Sequence, residues 1–359
     1  MCRQLTRALA LASLFGCAAV MAAAQEPQRF TISEHRVEIF DAAGLITVRR
    51  GAGSNVVIVA RRAGPDGSSI TFGTDRQANL ARFRVVFPVD GIDHIADPRQ
   101  GHGHYMTIRL RADGTFSGGD GGWRERRGRG GEVEMGGSGG FRGSANLEIE
   151  VPAGRDVTLH LGAGAATLSG VSGDYTLDLY GADVEATDIS GRYSFDTGSG
   201  DIRITGAQGT LRLDAGSGDV ALERIAGDLL DVDTGSGDVW ADDVAVDRAR
   251  LDTGSGDVEM RRFRSRHTIV DTGSGDATLA YGPGPLDDLS IDTGSGDCTL
   301  TLPSDVDARL VADSGSGDVH VTRPGAIFER QDEDETVLRF GEGRSRIRID
   351  TGSGGVTIR

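Results

Sequence analysis

The sequence predicts an all-β fold: a single-chain β-solenoid built from coils of about 19 residues, preceded by an irregular N-terminal β region. Three observations point there. The motif DTGSGD or a close variant begins at Asp196, Asp214, Asp233, Asp252, Asp271, Asp292 and Asp313, with a last copy, DTGSGG, at Asp350. Within each unit apolar and polar residues alternate with a period of two, the signature of a strand with one buried face. In residues 249–260, Leu251, Thr253, Val258 and Met260 share one face while Arg250, Asp252, Asp257 and Glu259 share the other. No helical pattern interrupts the run.

A unit this short cannot bury its own apolar face, so the units must stack. Each coil then hydrogen-bonds to the next about 4.8 Å away, and a right-handed winding is expected from the general preference of parallel crossovers.

Taken in chain order, residues 1–24 read as an export signal: Arg3 and Arg7 start it, residues 8–20 are apolar, and Ala22, Ala23 and Ala24 precede Gln25. Leu14-Phe15-Gly16-Cys17 partly resembles a lipobox, but Phe15 is bulky where small residues are usual, so lipidation is the less favoured reading. Cys2 and Cys17 fall in this leader, which leaves Cys298 alone and no internal disulfide. Residues 25–151 form the N-terminal β region, with strand signals at 35–40, 44–49, 55–61, 81–87, 105–111 and 146–151. Residues 113–144 are Gly-rich, carry Trp123-Arg124-Glu125-Arg126-Arg127, and are expected to be a flexible surface loop. The solenoid occupies 152–359, with fainter repeat copies LGAGAATL from Leu161 and LYGADVEA from Leu179. The 37-residue step from Asp313 to Asp350 is expected to hold one degenerate coil. Glycine in the Gly-Ser-Gly bend is expected because it enters positive φ without penalty.

Composition narrows function. Most of the 55 glycines among 359 residues divide between the bends and the loop, and the aromatic share of 5% suits a narrow coil. A formal charge of −16, with every basic residue an Arg, disfavours nucleic acid as a partner. After the leader, no apolar stretch is long enough for a membrane-spanning helix.

The segment LEIEVPAGRDVTLHLGAG from Leu147 and the repeated TGSGDV-x-L resemble the exported bacterial β-strand-repeat family of "putative adhesin" domains, a domain of unknown function with SGD repeats. The resemblance implies a surface-associated or periplasmic solenoid, linked in some members to envelope-stress systems, with no established enzyme activity. Two features depart from the pattern, the stretch 113–144 and Gly355 in place of Asp in the last unit.

Stacking aligns two carboxylate columns. One runs through Asp196, Asp214, Asp233, Asp252, Asp271, Asp292 and Asp313, the other through Asp201, Asp219, Asp238, Asp257, Asp276, Asp297 and Asp318. Carboxylates one coil apart repel by roughly 0.9 kcal/mol even in water. Either backbone N–H groups or the Ser199, Ser217 and Ser236 hydroxyls satisfy them, the reading we favour, or they hold Ca²⁺ through Asp196, Asp201, Asp214, Asp219, Asp233, Asp238, Asp252 and Asp257. The calcium-binding repeat GGxGxD recurs every nine residues, whereas this motif recurs about every nineteen.

His94, His102 and His104 with Asp93 and Asp97 are a weaker zinc or copper candidate, set in a flexible Gly-His-Gly-His context. Arg261, Arg262, Arg264 and Arg266, beside His267, make a basic return that an anionic glycan or lipid headgroup would fit, and Trp240 is expected to point outward where a sugar could stack. Asp332, Glu333, Asp334 and Glu335 form an acidic loop.

The sequence therefore predicts a non-enzymatic, exported, adhesin-like interaction or structural module of the cell envelope, without a cofactor, facing a glycan, lipid headgroup or envelope protein from the periplasm or the cell surface. The first alternative is a calcium-stabilised solenoid binding an anionic glycan or lipid. The second is a β-helical polysaccharide-active enzyme, disfavoured because carboxylate pairs in every coil single out none.

Overall fold

The computed structural model describes residues 26–99, 105–118, 130–332 and 335–359. The expected leader at residues 1–24, His102, His104, Trp123 to Arg127, and residues 333 and 334 lie outside that set. Among the described residues the chain is almost entirely strand, with one 3-10 turn at Gly67–Ser69.

The solenoid is directly visible in the strand pairing. Val220–Thr234 lies parallel and in register on Val239–Thr253, which lies on Val258–Thr272, so Val232, Leu251 and Val270 stack, as do Asp233, Asp252 and Asp271. The expected inward face is the buried one: Leu251, Thr253, Val258 and Met260 are at most 1% exposed. Rings do enter this narrow core, with Tyr175 stacked on Tyr193 at 5.0 Å between centroids.

Each coil turns at the Gly-Ser-Gly bend, and the reason for its glycines differs from the expected one. None of the bend glycines has positive φ. Instead the coils approach so closely there that a Cβ on Gly237 would sit 1.9 Å from the Gly218 carbonyl oxygen, and one on Gly256 would sit 2.0 Å from that of Gly237. Glycine answers crowding between coils. The buried threonine beside it completes the bend: Thr253 Oγ1 accepts from the Gly256 N–H at 3.0 Å and donates to the Gly237 carbonyl one coil away at 3.1 Å.

Positive φ occurs at a second corner, in the return. Gly170, Asp188, Gly206, Arg224, Asp243 and Arg262 form one stacked column, all between +46° and +74°. Four of these six carry a side chain in a conformation that costs a non-glycine residue about 1–2 kcal/mol.

Both ends depart from the expected boundaries. Arg36–Arg50 stacks in parallel on Arg155–Ser169, from the Arg36–Asp156 pair to the Arg49–Ser169 pair, so the solenoid begins inside the region expected to precede it. The far edge of that first coil carries Leu80–Val86 and Ser144–Val151, which turn the sheet antiparallel through Thr71–Gln77, Val56–Ala63 and Gln28–Ile32.

At the other end, Ser345–Thr351 and Val356–Ile358 insert between two coils that precede them in sequence. They pair with Asp288–Thr293 and Cys298–Thr301 on one side, and with Ala308–Ser314 and Val319–Val321 on the other. The order in space is therefore Asp292, Asp350, Asp313. The residues spanning the 37-residue step are not a degenerate coil. Ile327–Gln331 and Glu335–Phe340 form an antiparallel hairpin that covers the outermost coil.

A second sheet, His94–Ile95, Gly130–Met135, Met106–Arg111 and Phe116–Gly118, lies over the first coils. Its Val133 and Met135 are 1% and 0% exposed, so the described part of the Gly-rich stretch after residue 129 is packed structure rather than a flexible loop. Met135 reaches Gly162, Met106 reaches Gly181 and Gly198, and the Phe116 ring meets Phe40 edge-on at 5.9 Å.

The left-handed corner gives a test. Arg224→Gly removes the strained side chain at a cost in chain entropy, and should raise stability by about 0.5 kcal/mol. Arg224→Val, β-branched at the same corner, should lower it by more than that; chemical denaturation of the two variants reads both signs.

Candidate functional site

The two Asp columns, identical in the motif, are physically opposite. In the second column the carboxylates from Asp201 to Asp276 each accept a hydrogen bond from the backbone N–H of the next Asp in the stack: Asp219 N–H donates to Asp201 Oδ1 at 3.0 Å, Asp238 to Asp219 at 2.9 Å, and Asp257 to Asp238, Asp276 to Asp257 and Asp297 to Asp276, each at 2.8 Å. The ladder starts with Asp201 N–H on Asp183 at 3.1 Å and runs to Gly355 N–H on Asp297 at 2.8 Å. The favoured reading, backbone N–H satisfaction, describes this column, except that the donor belongs to the neighbouring coil and not to the same bend.

In the first column no such donor is available. Burial, followed by repulsion from stacked neighbours, raises the carboxyls of Asp196, beside Asp178 and Asp214, and of Asp214, beside Asp233. Asp292 is raised likewise between Asp271 and Asp350, with Arg348 in partial opposition. Arg250 relieves the middle of the column, pairing with Asp252 at 2.5 Å and reaching Asp233 at 3.9 Å. Among the described residues no three acid, imidazole or thiol groups converge as a metal site.

The basic return is neutralised in place. Arg261 pairs with Glu259, Arg262 with Asp242, Arg264 with Asp243 at 3.2 Å and Arg266 with Asp287 at 3.4 Å. Trp240 is half-buried, between Ala221 and Glu259 on the coil exterior. Of the histidine group, His94 Nε2 lies 2.6 Å from the Gly136 carbonyl, and Asp97 is committed to Arg99 at 2.7 Å. Arg99 also pairs with Asp183 and donates to the Gly181 carbonyl at 2.9 Å, which caps the acidic ladder at its first rung.

Three features escaped the sequence. His160 stacks on Phe40 at 4.3 Å, with Nδ1 3.0 Å from Asp178 and Nε2 3.6 Å from Glu38. These groups come from three coils, and only the coil register could have united them. Asp41 heads the column that elsewhere carries the bend threonines; it is fully buried, Oδ1 accepts from the Ala43 N–H at 3.2 Å, and Oδ2 has no partner. Burial pushes its carboxyl well above the ordinary range. The threonine column itself is legible as the T of every DTGSGD, but its double hydrogen bond is not. Cys298 is buried, and burial pushes its thiol up to about 12, so it packs as a small apolar group.

The family model for Toastrack DUF4097 matches residues 137–359, more than half of the chain. The chain belongs to the Toastrack family. The match opens just before Ser144–Val151 and omits Arg36–Arg50, the strand on which the Toastrack coils begin to stack.

Similar solved structures are a putative adhesin from Parabacteroides merdae (11% identity, 93% of this chain and 97% of that one, TM-score 0.37) and a putative adhesin from Bacteroides fragilis (10%, 93% and 98%, TM-score 0.31). A putative cell adhesion protein from Clostridium sporogenes is similar at 9% identity over 93% and 99% of the two chains, with a TM-score of 0.19. No curated protein matches the chain.

The contrast between the columns is measurable. Asp238→Ala, which leaves the Asp257 N–H without its acceptor, should cost about 1 kcal/mol. Asp214→Asn, which relieves repulsion, should add roughly 0.5 kcal/mol, and less at high salt; equal effects from the two would refute the assignment.

Asp41 sets a pH dependence. Its folded pKa is raised above the ordinary 3.8, so the folded state holds the proton more tightly, and stability falls as pH rises from about 3.8 to the folded value before levelling off. The slope from this group is up to about 1.4 kcal/mol per pH unit. Asp41→Asn should flatten denaturation midpoints across that window.

Proposed function

We propose that this Toastrack chain is a non-enzymatic, exported interaction and structural module of the cell envelope. The observation that carries the reading is the commitment of its repeated acids. The second column is bound to backbone N–H groups from Asp183 to Asp297, and in the first the carboxyls of Asp196 and Asp214 are raised by burial and then by repulsion from their stacked neighbours. No one pair is set apart with the divided acid and base character that glycoside chemistry needs. Asp41, the most perturbed carboxyl, is sealed in the core. Regular coil-on-coil pairing makes a stiff rod, suited to presenting a surface rather than closing on a substrate. The leader read in residues 1–24 supports export, and no helix among the described residues is long and apolar enough to cross a membrane.

A calcium-stabilised form is the second reading. One observation favours it: the raised carboxyls of Asp196, Asp214 and Asp292 mark a column whose repulsion a divalent cation would relieve.

One experiment addresses both readings. The full chain expressed with its leader should appear in the periplasmic or outer-membrane fraction, and the purified protein should retain envelope glycan, anionic vesicles or an envelope protein without turning over polysaccharide. Recovery in the cytoplasm, or release of reducing ends from envelope glycan, overturns the first reading. Under the second, millimolar calcium raises the melting temperature and Asp214→Asn abolishes the rise; a melting temperature indifferent to calcium and EDTA removes it.

A further inference from the structure

The carboxylate ladder stops being a ladder at its first rung, and a pocket begins there. Followed backwards from Asp201 through Asp183, the same exterior column carries Ala165, then Leu45, then Asn146. Leu45 is 41% exposed, unusual for leucine on a face otherwise acidic. Above it the segments that follow His94–Ile95 and Gly130–Met135, with the turn around Arg142, line a cavity of about 310 Å³. That is the low end of small-ligand sites, roughly amino-acid sized.

The lining divides by chemistry. Leu45, Ala63, Pro65, Ala96 and Pro98 form apolar walls, while Arg142, Asn146, Ser138 and Ser144 supply the polar groups. Arg142 is held through its backbone, its N–H donating to Asp66 Oδ2 at 2.8 Å, and its exposed guanidinium forms none of the ion pairs found among the described residues. That sets it apart from the Arg261 to Arg266 return, where each guanidinium has its acid. Asn146, half-buried in the lining, has its Oδ1 buried without a partner, and its amide N–H₂ is the donor it offers a ligand.

The acid in the lining, Asp97, is 2% exposed and tied to Arg99. A single free guanidinium, an amide donor and two hydroxyls over apolar walls suit one carboxylate on an apolar body. A phosphate would bring a second charge towards Asp97 and Asp183, which the site gives no further cation to offset.

We propose that this pocket binds a small apolar monocarboxylate: the carboxylate on Arg142 and Asn146, the apolar body against Leu45, Pro65 and Pro98. The proposal is independent of the envelope role. Free branched acids and acylated amino acids share the chemistry, and the probes separate them.

Titration of the full chain with 4-methylpentanoate and with N-acetyl-leucine, followed by calorimetry and backbone amide shifts, should give saturable millimolar or tighter binding with shifts confined to the pocket. The tighter probe identifies the source. The uncharged amide, 4-methylpentanamide, should bind at least tenfold more weakly. Arg142→Gln should weaken both acids at least tenfold, and Leu45→Glu should abolish binding. Neither variant should move the melting temperature by more than a degree or two, since both side chains are exposed. Failure of both acids to saturate, equal binding of the amide, or indifference to Arg142→Gln would each overturn the proposal.

Discussion

Parallel stacking in register sets each residue against its counterpart in the next coil, and the rest of the molecule follows from which residues tolerate that. Apolar residues gain from it. Threonine gains as well, because one hydroxyl can accept within its own bend and donate to the next, as Thr253 and Thr272 do. Glycine is required wherever the neighbouring carbonyl comes within about 2 Å of a Cβ position, the case at Gly218, Gly237 and Gly256. Aspartate can fall on either side. With the next N–H turned towards it, the stack becomes a chain of charge-assisted hydrogen bonds; without one, the same residue at the same spacing is left with its neighbours' repulsion.

A stack of this kind has two open ends, and unpaired strand edges invite association. Both ends are closed by reversing strand direction. At the N-terminal end, strands that run parallel to the first coil are followed by antiparallel partners; at the other, a hairpin lies antiparallel on the Ala308–Ser314 strand. Insertion of Ser345–Thr351 between earlier coils ties the two flanking segments together through a strand distant in sequence. That strand must arrive after the coils on either side have formed or while they are still apart. Identical motifs make this ordering matter, because Asp313 could stack on Asp292 as well as on Asp350.

This also explains what the sequence could reveal. The fold class, the inward set from Leu251 to Met260 and five of the ten described strands up to Val151 were legible, because alternation and repetition are local signals. The coil order at the C-terminal end was not, since a copy of DTGSGD carries no record of which other copy it will touch. The bend glycines were found for the wrong reason: a positive φ belongs to one residue, whereas crowding at a carbonyl belongs to a pair of coils. The burial of Asp41 was hidden because its first-coil bend, Asp41-Ala42-Ala43-Gly44, lacks the motif that marks the others. Arg142 and Asn146 offered no local pattern; their meeting with Leu45 depends on strand register and on the second sheet.

The same logic locates where the surface stops being scaffold. A column constrained to repeat can vary only where its neighbour on one side differs in kind. In the second Asp column this happens at Gly355, which lies between Asp297 and Asp318 and roughly halves their repulsion by doubling their separation. It happens again before Asp183, where Arg99 ends the run of carboxylates and the column passes to Ala165, Leu45 and Asn146. The first break is explained by electrostatics within the stack. The second is not, because Leu45 exposes apolar surface and Asn146 keeps a buried oxygen without a partner, and neither improves the packing around it. Local rules broken without gain to the fold are the mark of residues held for another purpose.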